Sequence, residues 1–425
     1  MNKVIIIGGD HYNALGLVRC FGINGIKPDG ILTEPNEFNR FCNRSKYWNT
    51  VKYVTDENEA YQYLLTLPSC DEKPVLVPSS DGAMLMIDAH NEELSKKFIL
   101  PGFKNNPGMV AHLMNKYNQM KWANNLGIET AKTWMLNLND YKNLLSEFVY
   151  PCIVKPVISS EGHKSDIRKC DDEKSLISAI DWLKLNGYKR ILVQEFLVKD
   201  YECELWGCIP QLTDKVPYLL SKHLREWPKI AGSVSCHEFI VEPAMKRQAE
   251  EILQKLKAGG YVGNVDIEIL SIKGKLYLNE VNFRNSGDVY ALFKDKVYYP
   301  YYSYLDMIGQ DISGYNMEYT DDSYAMNEAT DIRHALTGGV SLFTWLKFFR
   351  NSEDKAYWFK GDMKPALYKY KYFVTKIIRQ LFMYQKLKKL MGGGKNDLLK
   401  TSGSYGITCQ LCAPRYVYTN GRMAA

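Results

Sequence analysis

The residues best suited to chemistry lie in the stretch KLYLNEVNFRNSGD, in the second half of the chain. Side chains of a β-strand alternate between its two faces. The pattern therefore predicts that Glu280, Asn282 and Arg284 share a face with Leu276 and Leu278. A carboxylate, an amide and a guanidinium along one face are groups that bind cations and anions.

The strand predicted before this one, NVDIEIL, carries two further carboxylates, Asp266 and Glu268. We predict a hairpin turn at Lys273–Gly274, because a glycine at a tight turn between two strands is typical of hairpins. Such a turn places Glu268 roughly level with Glu280. Two carboxylates and an amide oxygen would then converge on one face of the hairpin.

Carboxylates held this close repel each other unless one is protonated or a cation lies between them. Oxygen ligands of this kind suit Mg²⁺, which keeps waters and completes its shell with substrate phosphates. Arg284 could contact an anion placed by the metal. The alternative is a solvated hairpin face with a surface arginine. We favour the metal site for the full set, because Val281 and Phe283 make the other face apolar.

Three lysines lie in three different predicted elements. Lys116 is in a polar helical segment, Lys155 ends a short apolar strand, and Lys222 follows another strand. Each lysine alone is well explained by exposure to solvent. Phosphate groups need several cations, however, and the three lysines together would supply them.

The stretch LVQEFL predicts a strand that leads into a linker. Its backbone could bind a flat heterocycle, and Gln194 or Glu195 could contact an exocyclic amine. Glu202, further along the chain, could accept hydrogen bonds from ribose hydroxyls. The alternative for this segment is a plain strand with polar ends.

Several elements must position these residues, and the chain is long enough for two or three domains. The start, MNKVIIIGGD, reads as a buried strand and a glycine turn, and a βαβ pattern follows. Gly8 and Gly9 lack the full GxGxxG spacing, so we favour close strand–helix packing over a dinucleotide site. We predict an open parallel-sheet α/β domain over residues 1–105.

A mixed α+β region is predicted over residues 106–315, with a small lobe at about 130–195 and a large lobe at about 196–315. Residues 316–425 read as a helical extension with a flexible tail. Its segment ALYKYKYFVTKIIRQLFMYQKLKKLM mixes Lys, Arg and Tyr with apolar residues. It could lie on a membrane or a partner, but we favour an ordinary surface helix packed on the body.

The overall composition is that of an ordinary soluble protein, with 46% hydrophobic and 24% charged residues. The net charge of +6 is too small and dispersed to indicate nucleic acid binding. No stretch reaches membrane-spanning length, and ten scattered cysteines favour reduced thiols in a cytosol. Cys409 and Cys412 form one CxxC without a second ligand pair, and the seven histidines show no metal spacing.

In this order, the motifs resemble those of the ATP-grasp superfamily. The match covers roughly residues 1–315 and includes YPCIVKP, LVQEFL, NVDIEIL and LYLNEVNFRNSG. Its most specific part is a glutamate twelve residues before a second glutamate that opens ExNxR. The resemblance implies an N-terminal pre-ATP-grasp domain, then a two-lobed ATP-grasp fold, then the helical extension.

The resemblance also implies a role for each candidate residue. Glu268, Glu280 and Asn282 would bind two Mg²⁺ ions, with Mn²⁺ as a substitute. Arg284 and Lys222 would be the catalytic residues, with Lys222 also at the phosphates and Arg284 stabilising the acyl phosphate and the tetrahedral intermediate. The ATP-binding set has two phosphate lysines, three adenine-hinge residues and one ribose acceptor: Lys116, Lys155, Gln194, Glu195, Leu197 and Glu202.

Within the superfamily, EVNFRNSGD and RHALTGG look most like the D-aspartate ligase-type carboxylate–amine ligases, which include cell-wall and capsule-associated members. The implied function is an ATP-dependent ligase that forms an amide through an acyl phosphate and releases ADP and phosphate. Its substrates would be a small-molecule carboxylate and an amine, one of them an amino acid. An amine on a nucleotide or an amino sugar is left open.

The cysteines favour a cytoplasmic protein, the basic C-terminal helices leave membrane contact open, and the resemblance adds a homodimer as a further expectation. The alternative from another class is an ATP-binding regulatory or scaffolding protein without catalysis. Two features depart from the superfamily pattern. The predicted phosphate lid, residues 157–166, has one glycine, with His163 and Lys164 as candidate contacts. Asn115 and Lys116 replace the more common pair of an acidic residue and a lysine.

Overall fold

The computed structural model describes residues 1–34, 36–139, 147–157, 166–228, 232–319 and 323–375, and the backbone of two short C-terminal strands. The described residues form four sheets, three of which position the candidate site. The fourth pairs β17 (Tyr418–Thr419) with β18 (Arg422–Met423). Within the described part of the chain, no helix is long and apolar enough to cross a membrane. Outside it lie His163, Lys164, Cys409 and Cys412.

The N-terminal domain is an open parallel sheet with strand order β3-β2-β1-β4, as the sequence predicted. Strands β1 and β4 are almost fully buried, which is typical of a parallel sheet covered by helices on both faces. Its elements are β1 (Val4–Gly9), α1 (Tyr12–Ile23), β2 (Asp29–Thr33), β3 (Thr50–Val54), α2 (Glu57–Thr66), β4 (Val75–Pro78), α3 (Asp81–Ala89) and α4 (Asn91–Leu94).

The glycine turn after β1 packs tightly against the turn after β4. A Cβ atom added to Gly8 would lie 2.2 Å from Ser79 Oγ, and the φ angle of Gly8 is +151°. Only glycine fits a backbone this close to its neighbour in this conformation. The contact supports close packing, rather than dinucleotide binding, as the reason for the two glycines.

The small lobe is a four-stranded antiparallel sheet with order β6-β9-β7-β8. One face packs on helix α7, whose buried residues join the strands in a separate hydrophobic core. Two short helices connect this lobe to the N-terminal domain. The elements in this part are β5 (Gly102–Phe103), α5 (Met109–Leu113), α6 (Lys116–Asn125), β6 (Thr133–Asn137), β7 (Cys152–Pro156), β8 (Arg168–Cys170), α7 (Glu173–Leu185) and β9 (Arg190–Glu195).

The large lobe is built on a sheet with order β14-β13-β10-β11-β12-β15-β16, to which β5 adds by pairing with β13. Its apolar face joins the largest hydrophobic core of the protein, and its polar face carries the site. The elements are β10 (Tyr201–Ile209), β11 (Tyr218–Trp227), β12 (Ser233–Phe239), α8 (Pro243–Ala258), β13 (Tyr261–Ile272), β14 (Lys275–Asn282) and α9 (Tyr299–Met307).

The hairpin of β13 and β14 turns at Lys273 and Gly274, as predicted, and both residues have positive φ angles. The predicted face for Leu276 and Leu278 is wrong. The register shifts between Glu268 and Ile269, so that one extra residue of β14, at position 279, has no partner. Such a bulge switches the face of every side chain on one side of it. The two leucines are therefore buried on the apolar face.

The C-terminal extension adds to the large-lobe sheet past residue 315, where the sequence analysis placed the domain boundary. Its elements are β15 (Tyr324–Met326), α10 (Glu328–Leu336), α11 (Leu342–Asn351), β16 (Asp354–Lys355) and a helix from 364 to the end of the described stretch at 375. Buried Arg19 of α1 donates to Asp362 Oδ2 at 3.2 Å and to three backbone carbonyls of the extension. These bonds fix the extension to the N-terminal domain.

Candidate functional site

The predicted metal ligands lie side by side on the polar face of the β13–β14 hairpin. Glu268 is the direct cross-strand partner of Glu280, and Asp266 is the partner of Asn282. Burial, followed by the charge of Glu280, raises the pKa of Glu268. Two carboxylates in a partly buried place are stable as anions only beside a cation. The donor set of Glu268, Glu280 and Asn282 therefore fits a magnesium ion.

Lys116 brings a positive charge to this pair of glutamates. It is the first residue of α6, and the N-cap Asn115 accepts hydrogen bonds from the backbone of Tyr117 and Asn118. Because the cap fixes where the helix begins, it also fixes the base of the lysine side chain. Lys116 Nζ lies 2.6 Å from Glu280 Oε2. One oxygen of the pair thus already binds a cation, which supports the fit to a metal.

Lys155 reaches the same place from the small lobe. Its Nζ donates to Gln194 Oε1 at 2.8 Å across the paired strands β7 and β9. Burial lowers the pKa of Lys155 to about 8; the charge of Lys116 adds to this effect, and Glu280 and Glu268 oppose it. Because the charges of Lys116, Glu280 and Glu268 all act on Lys155, the two lysines and the two glutamates share one site. Such a mixture is suited to a metal-bound polyphosphate.

The other predicted ATP contacts lie where the two lobes join. Glu195 ends β9, and its N–H and carboxylate both bind the backbone of Lys132. Leu197 lies in the segment between β9 and β10. Glu202 begins the site face of β10, 3.5 Å from His223 Nδ1. The hinge and ribose roles of these residues stay predictions, and the described part of the predicted lid ends at residue 157.

Arg284 is held between the N-terminal domain and the large lobe. Its Nε donates to Asp81 Oδ1 at 2.9 Å and its Nη1 to Asp266 Oδ2 at 2.5 Å. Asp81 begins α3, and Asp266 lies on β13. Burial opposes the charge of Arg284, but Asp266 and Asp81 outweigh burial and raise its pKa. The guanidinium is therefore a permanent charge in a fixed position, as an oxyanion stabiliser must be.

Lys222 is not brought together with the other predicted residues. Directly opposite residues of antiparallel strands share a face, and Lys222 is opposite Cys203, whose side chain is buried away from the site. Its Nζ lies 3.0 Å from Glu238 Oε1. The next residue, His223, faces the site and lies 3.5 Å from Glu204 Oε1. The catalytic role of Lys222 therefore rests on the sequence resemblance alone.

The sequence analysis missed three residues that meet beside Arg284. Glu204 of β10, His237 of β12 and Asp288 after β14 each place one donor atom within 4.8 Å of the other two. We call these three residues the Glu204 cluster. They are distant from one another in sequence, so no spacing indicates them. The available signals were the alternation of Glu202 and Glu204 in ECELW and the position of Asp288 at the end of RNSGD.

Comparison with known sequences gives matches to parts of the chain only. No protein-family model matches it. The formate-dependent phosphoribosylglycinamide formyltransferase of Actinobacillus pleuropneumoniae serotype 5b is 34% identical over 84 residues, which are 19% of this chain and 21% of that enzyme. The same enzyme of Mannheimia haemolytica is 25% identical over 170 residues, 38% of this chain and 41% of the enzyme. The chain thus aligns with less than half the length of these relatives.

Solved structures of similar fold cover most of the chain. The N5-carboxyaminoimidazole synthetase of Staphylococcus aureus superposes with a TM-score of 0.60 at 16% identity, over 80% of this chain and 88% of that one. The L-amino acid ligase of Bacillus licheniformis superposes with a TM-score of 0.57 at 16% identity, over 76% of this chain and 78% of that one. The S. aureus enzyme has also been solved in complex with ADP.

These structural neighbours are ATP-grasp ligases. The chain has the ATP-grasp fold, with a parallel-sheet domain before the two lobes, and the fold class predicted from the sequence is confirmed. At these identities the likeness establishes the fold and leaves the reaction to be argued from the site. The similarity to D-aspartate ligase-type enzymes stays a prediction.

Proposed function

We propose that the protein is an ATP-dependent carboxylate–amine ligase that forms an amide through an acyl phosphate. The observation that carries the proposal is the grouping of Glu268, Glu280, Lys116 and Lys155, with Arg284 bonded to Asp266 on the strand that carries Glu268. The first four groups suit a magnesium-bound triphosphate. A protein that only binds ATP has no need of a buried arginine clamped beside the metal ligands.

In the first step, a carboxylate oxygen of the substrate attacks the γ-phosphorus, the bond from phosphorus to the β-bridging oxygen breaks, and ADP leaves. Lys116 and Lys155 would neutralise phosphate oxygens and hold the γ-phosphate in line with the carboxylate. Magnesium bound by Glu268, Glu280 and Asn282 would neutralise the β- and γ-phosphate oxygens.

In the second step, the nitrogen of the amine attacks the acyl carbon, and phosphate leaves with the acyl oxygen that it received. The nitrogen loses one proton to give the amide. Negative charge develops on the carbonyl oxygen as the tetrahedral intermediate forms. Arg284 would stabilise this charge because its guanidinium is fixed before the reaction begins. Asp81 and Asp266 act as positioning residues for Arg284.

The proposal is tested by phosphate release from Mg-ATP with a panel of amino acids, each paired with peptide or amino-sugar partners. Mass spectrometry identifies the product of each positive pair. We expect release only when a carboxylate and an amine are both present, and a product lighter than its substrates by one water. Binding of ATP without release under any pairing would favour the regulatory or scaffolding alternative.

We further propose that the extension contacts an anionic membrane surface or a lipid-linked substrate. Leu342, Phe343 and Leu346 are exposed on α11, which also carries Lys347 and Arg350. An exposed apolar stripe beside basic residues suits an anionic interface. Sedimentation with phosphatidylserine vesicles should capture the protein, and Phe343→Ser should weaken capture; equal capture would contradict this contact. A homodimer and a cytoplasmic location stay predictions from the resemblance.

A further inference from the structure

The Glu204 cluster joins three elements beside the arginine of the proposed active site. Glu204 faces out of β10, His237 is fully buried in β12, and Asp288 is buried four residues after Arg284. Their donor atoms lie within 4.8 Å of one another. No step of the proposed reaction described so far uses these groups. A buried group of two acids and an imidazole therefore has no assigned purpose.

Two atoms of the cluster are buried without a hydrogen-bond partner among the described residues, His237 Nε2 and Asp288 Oδ1. The imidazole is oriented by its other nitrogen, since His237 Nδ1 lies 3.1 Å from Ser221 Oγ. His237 Nε2 is 3.5 Å from Asp288 Oδ2, without hydrogen-bond geometry. Buried polar atoms are nearly always paired in native proteins. The buried Tyr290 hydroxyl is a donor of the chain that acts on Asp288, and a donor from outside the chain would satisfy both the imidazole and the carboxylate.

Carboxylates outnumber cations around the cluster. Burial and the charge of Asp288 raise the pKa of Glu204 to about 8, so a cation bound beside Glu204 would favour its charged form. Glu202, Glu204 and Glu226 all lie within 3.5 Å of the single imidazole of His223. On the neighbouring strand β13, Glu268 is directly opposite Glu204, and Asp266 is already paired with Arg284. A region in which carboxylates outnumber cations selects a positively charged ligand.

The N-terminal domain closes the other side of the cluster. The charges of Asp288, Glu204 and Asp266 all act on the hydroxyl of Tyr12. A Cβ atom added to Gly287 would lie 3.1 Å from the Tyr12 ring, so the ring packs directly on the segment that carries Asp288. The cluster therefore lies in the interface of two domains, where small-molecule sites are common.

We propose that Glu204, His237 and Asp288 bind the protonated amino group of the amine substrate, so that this substrate is a cationic primary amine. The inference rests on the proposed ligase function. An ammonium group has three N–H donors for three acceptors. One of its protons passes to a carboxylate or the imidazole of the cluster before the nitrogen attacks the acyl carbon, and a second proton is lost after the attack. The donor atoms of the cluster lie within 4.8 Å of one another, close enough for one nitrogen to contact all three. His237 Nε2 and Asp288 Oδ2, at 3.5 Å, are also spaced as metal ligands are, so the test below includes a metal.

The test separates the two halves of the reaction. Hydroxylamine is largely uncharged at neutral pH and traps an acyl phosphate as a hydroxamate without needing an ammonium site. The full chain is given Mg-ATP, each carboxylate of the panel, and either hydroxylamine or a cationic amine. The amine probes are L- and D-alanine, L- and D-aspartate and glucosamine. Rates are compared for the unaltered chain, Asp288→Asn, Glu204→Gln and the exposed control Glu250→Gln.

Both cluster variants should raise the KM for the cationic amine at least tenfold, since each removes one charge-assisted hydrogen bond. Hydroxamate formation and the KM for ATP should stay within twofold, and the Glu250→Gln control should match the unaltered chain. Circular dichroism shows whether each variant is folded. Glu204→Gln, at a less buried position, keeps the test usable if Asp288→Asn does not fold.

Three results would overturn the inference alone: an unchanged amine KM in both variants, an equal loss of hydroxamate and amide, or a hydroxamate from the unaltered chain with no amide from any probe. A metal retained by the purified chain and lost in Asp288→Asn, measured by plasma mass spectrometry, would identify the cluster as a metal site instead. Absence of hydroxamate with every carboxylate would overturn the ligase proposal, and this inference with it.

Discussion

Two groups of carboxylates lie on the polar face of the large-lobe sheet, and their surroundings differ. The glutamate pair, Glu268 and Glu280, is partly exposed and faces lysines from two other elements. The Glu204 cluster is more deeply buried and faces histidines and tyrosines instead. Lysines repel a metal but attract the phosphates that accompany it, so the pair suits a metal bound to polyphosphate. Arg284 beside the cluster is already paired with Asp81 and Asp266, so the cluster suits a lone monovalent cation.

The largest effect should follow from breaking the glutamate pair. We expect Glu280→Gln to lower kcat/KM by at least about a thousandfold, since it removes a metal ligand and the partner of Lys116. The melting temperature should change little, because the loss of repulsion with Glu268 offsets the lost ion pair. Steady-state assays and thermal denaturation measure both quantities, with Glu250→Gln as the control. Near-normal turnover would remove the metal role of the pair.

A smaller effect should follow from changing Arg284, which lies between the two groups. Arg284→Lys keeps the charge but cannot bridge Asp81 and Asp266 as a planar fork. We expect kcat to fall about a hundredfold through lost oxyanion stabilisation, while the dissociation constant for ATP stays the same. Isothermal titration with ATP and single-turnover kinetics separate these quantities. A weakened ATP affinity at normal kcat would place Arg284 on the nucleotide instead.

The pH dependence of ATP binding should report the charge of Lys155, which lies beside the glutamate pair and not in the Glu204 cluster. Burial and the charge of Lys116 lower the pKa of Lys155 to about 8, so its positive charge is present below pH 8 and lost above it. ATP affinity should fall as pH rises through 8, by up to about tenfold per pH unit. Titration from pH 6.5 to 9.5 would measure this. Lys155→Arg should remove the fall, and the same slope in that variant would contradict the assignment.

The smallest effect concerns the bulged residue of the hairpin. Asn279 Nδ2 donates to Glu268 Oε2 at 3.2 Å, so the side chain helps to orient one metal ligand. Asn279→Ala should raise the magnesium concentration for half-maximal activity about two- to fivefold, as expected for the loss of one neutral hydrogen bond to a ligand. The KM for a cationic amine should not change. A change in the amine KM alone would show that the pair and the cluster are not separate.

The sequence was sufficient for the glutamate pair because the hairpin is local. Its turn at Lys273 and Gly274 and the partnership of Glu268 with Glu280 were predicted correctly. The bulge was not predicted. A regular hairpin with this turn would pair Glu268 with Asn279, so the extra residue is what aligns the two glutamates. The apolar positions shift from Leu276 and Leu278 to Val281 and Phe283, and this break in the alternation is the signal of the bulge that the prediction overlooked.

The sequence was insufficient for the Glu204 cluster because long-range strand pairing creates it. His237 meets Glu204 only through the register of β11 with both β10 and β12. The same register explains why Lys222 does not face the site. Its neighbour His223 faces the site, and successive residues of a strand face opposite sides of the sheet. Residue spacing along the chain carries no information about either fact. The superfamily resemblance implied the order of the domains, and the hinge role stays a prediction.

The most direct test of the central claim follows an oxygen atom. The carboxylate that gives product in the panel is labelled with ¹⁸O and incubated with Mg-ATP, the amine and the full chain, and the released phosphate is analysed by mass spectrometry. The account predicts one ¹⁸O atom in each phosphate, because the acyl oxygen leaves with it. Unlabelled phosphate together with amide formation would contradict an acyl phosphate and the mechanism proposed for this site.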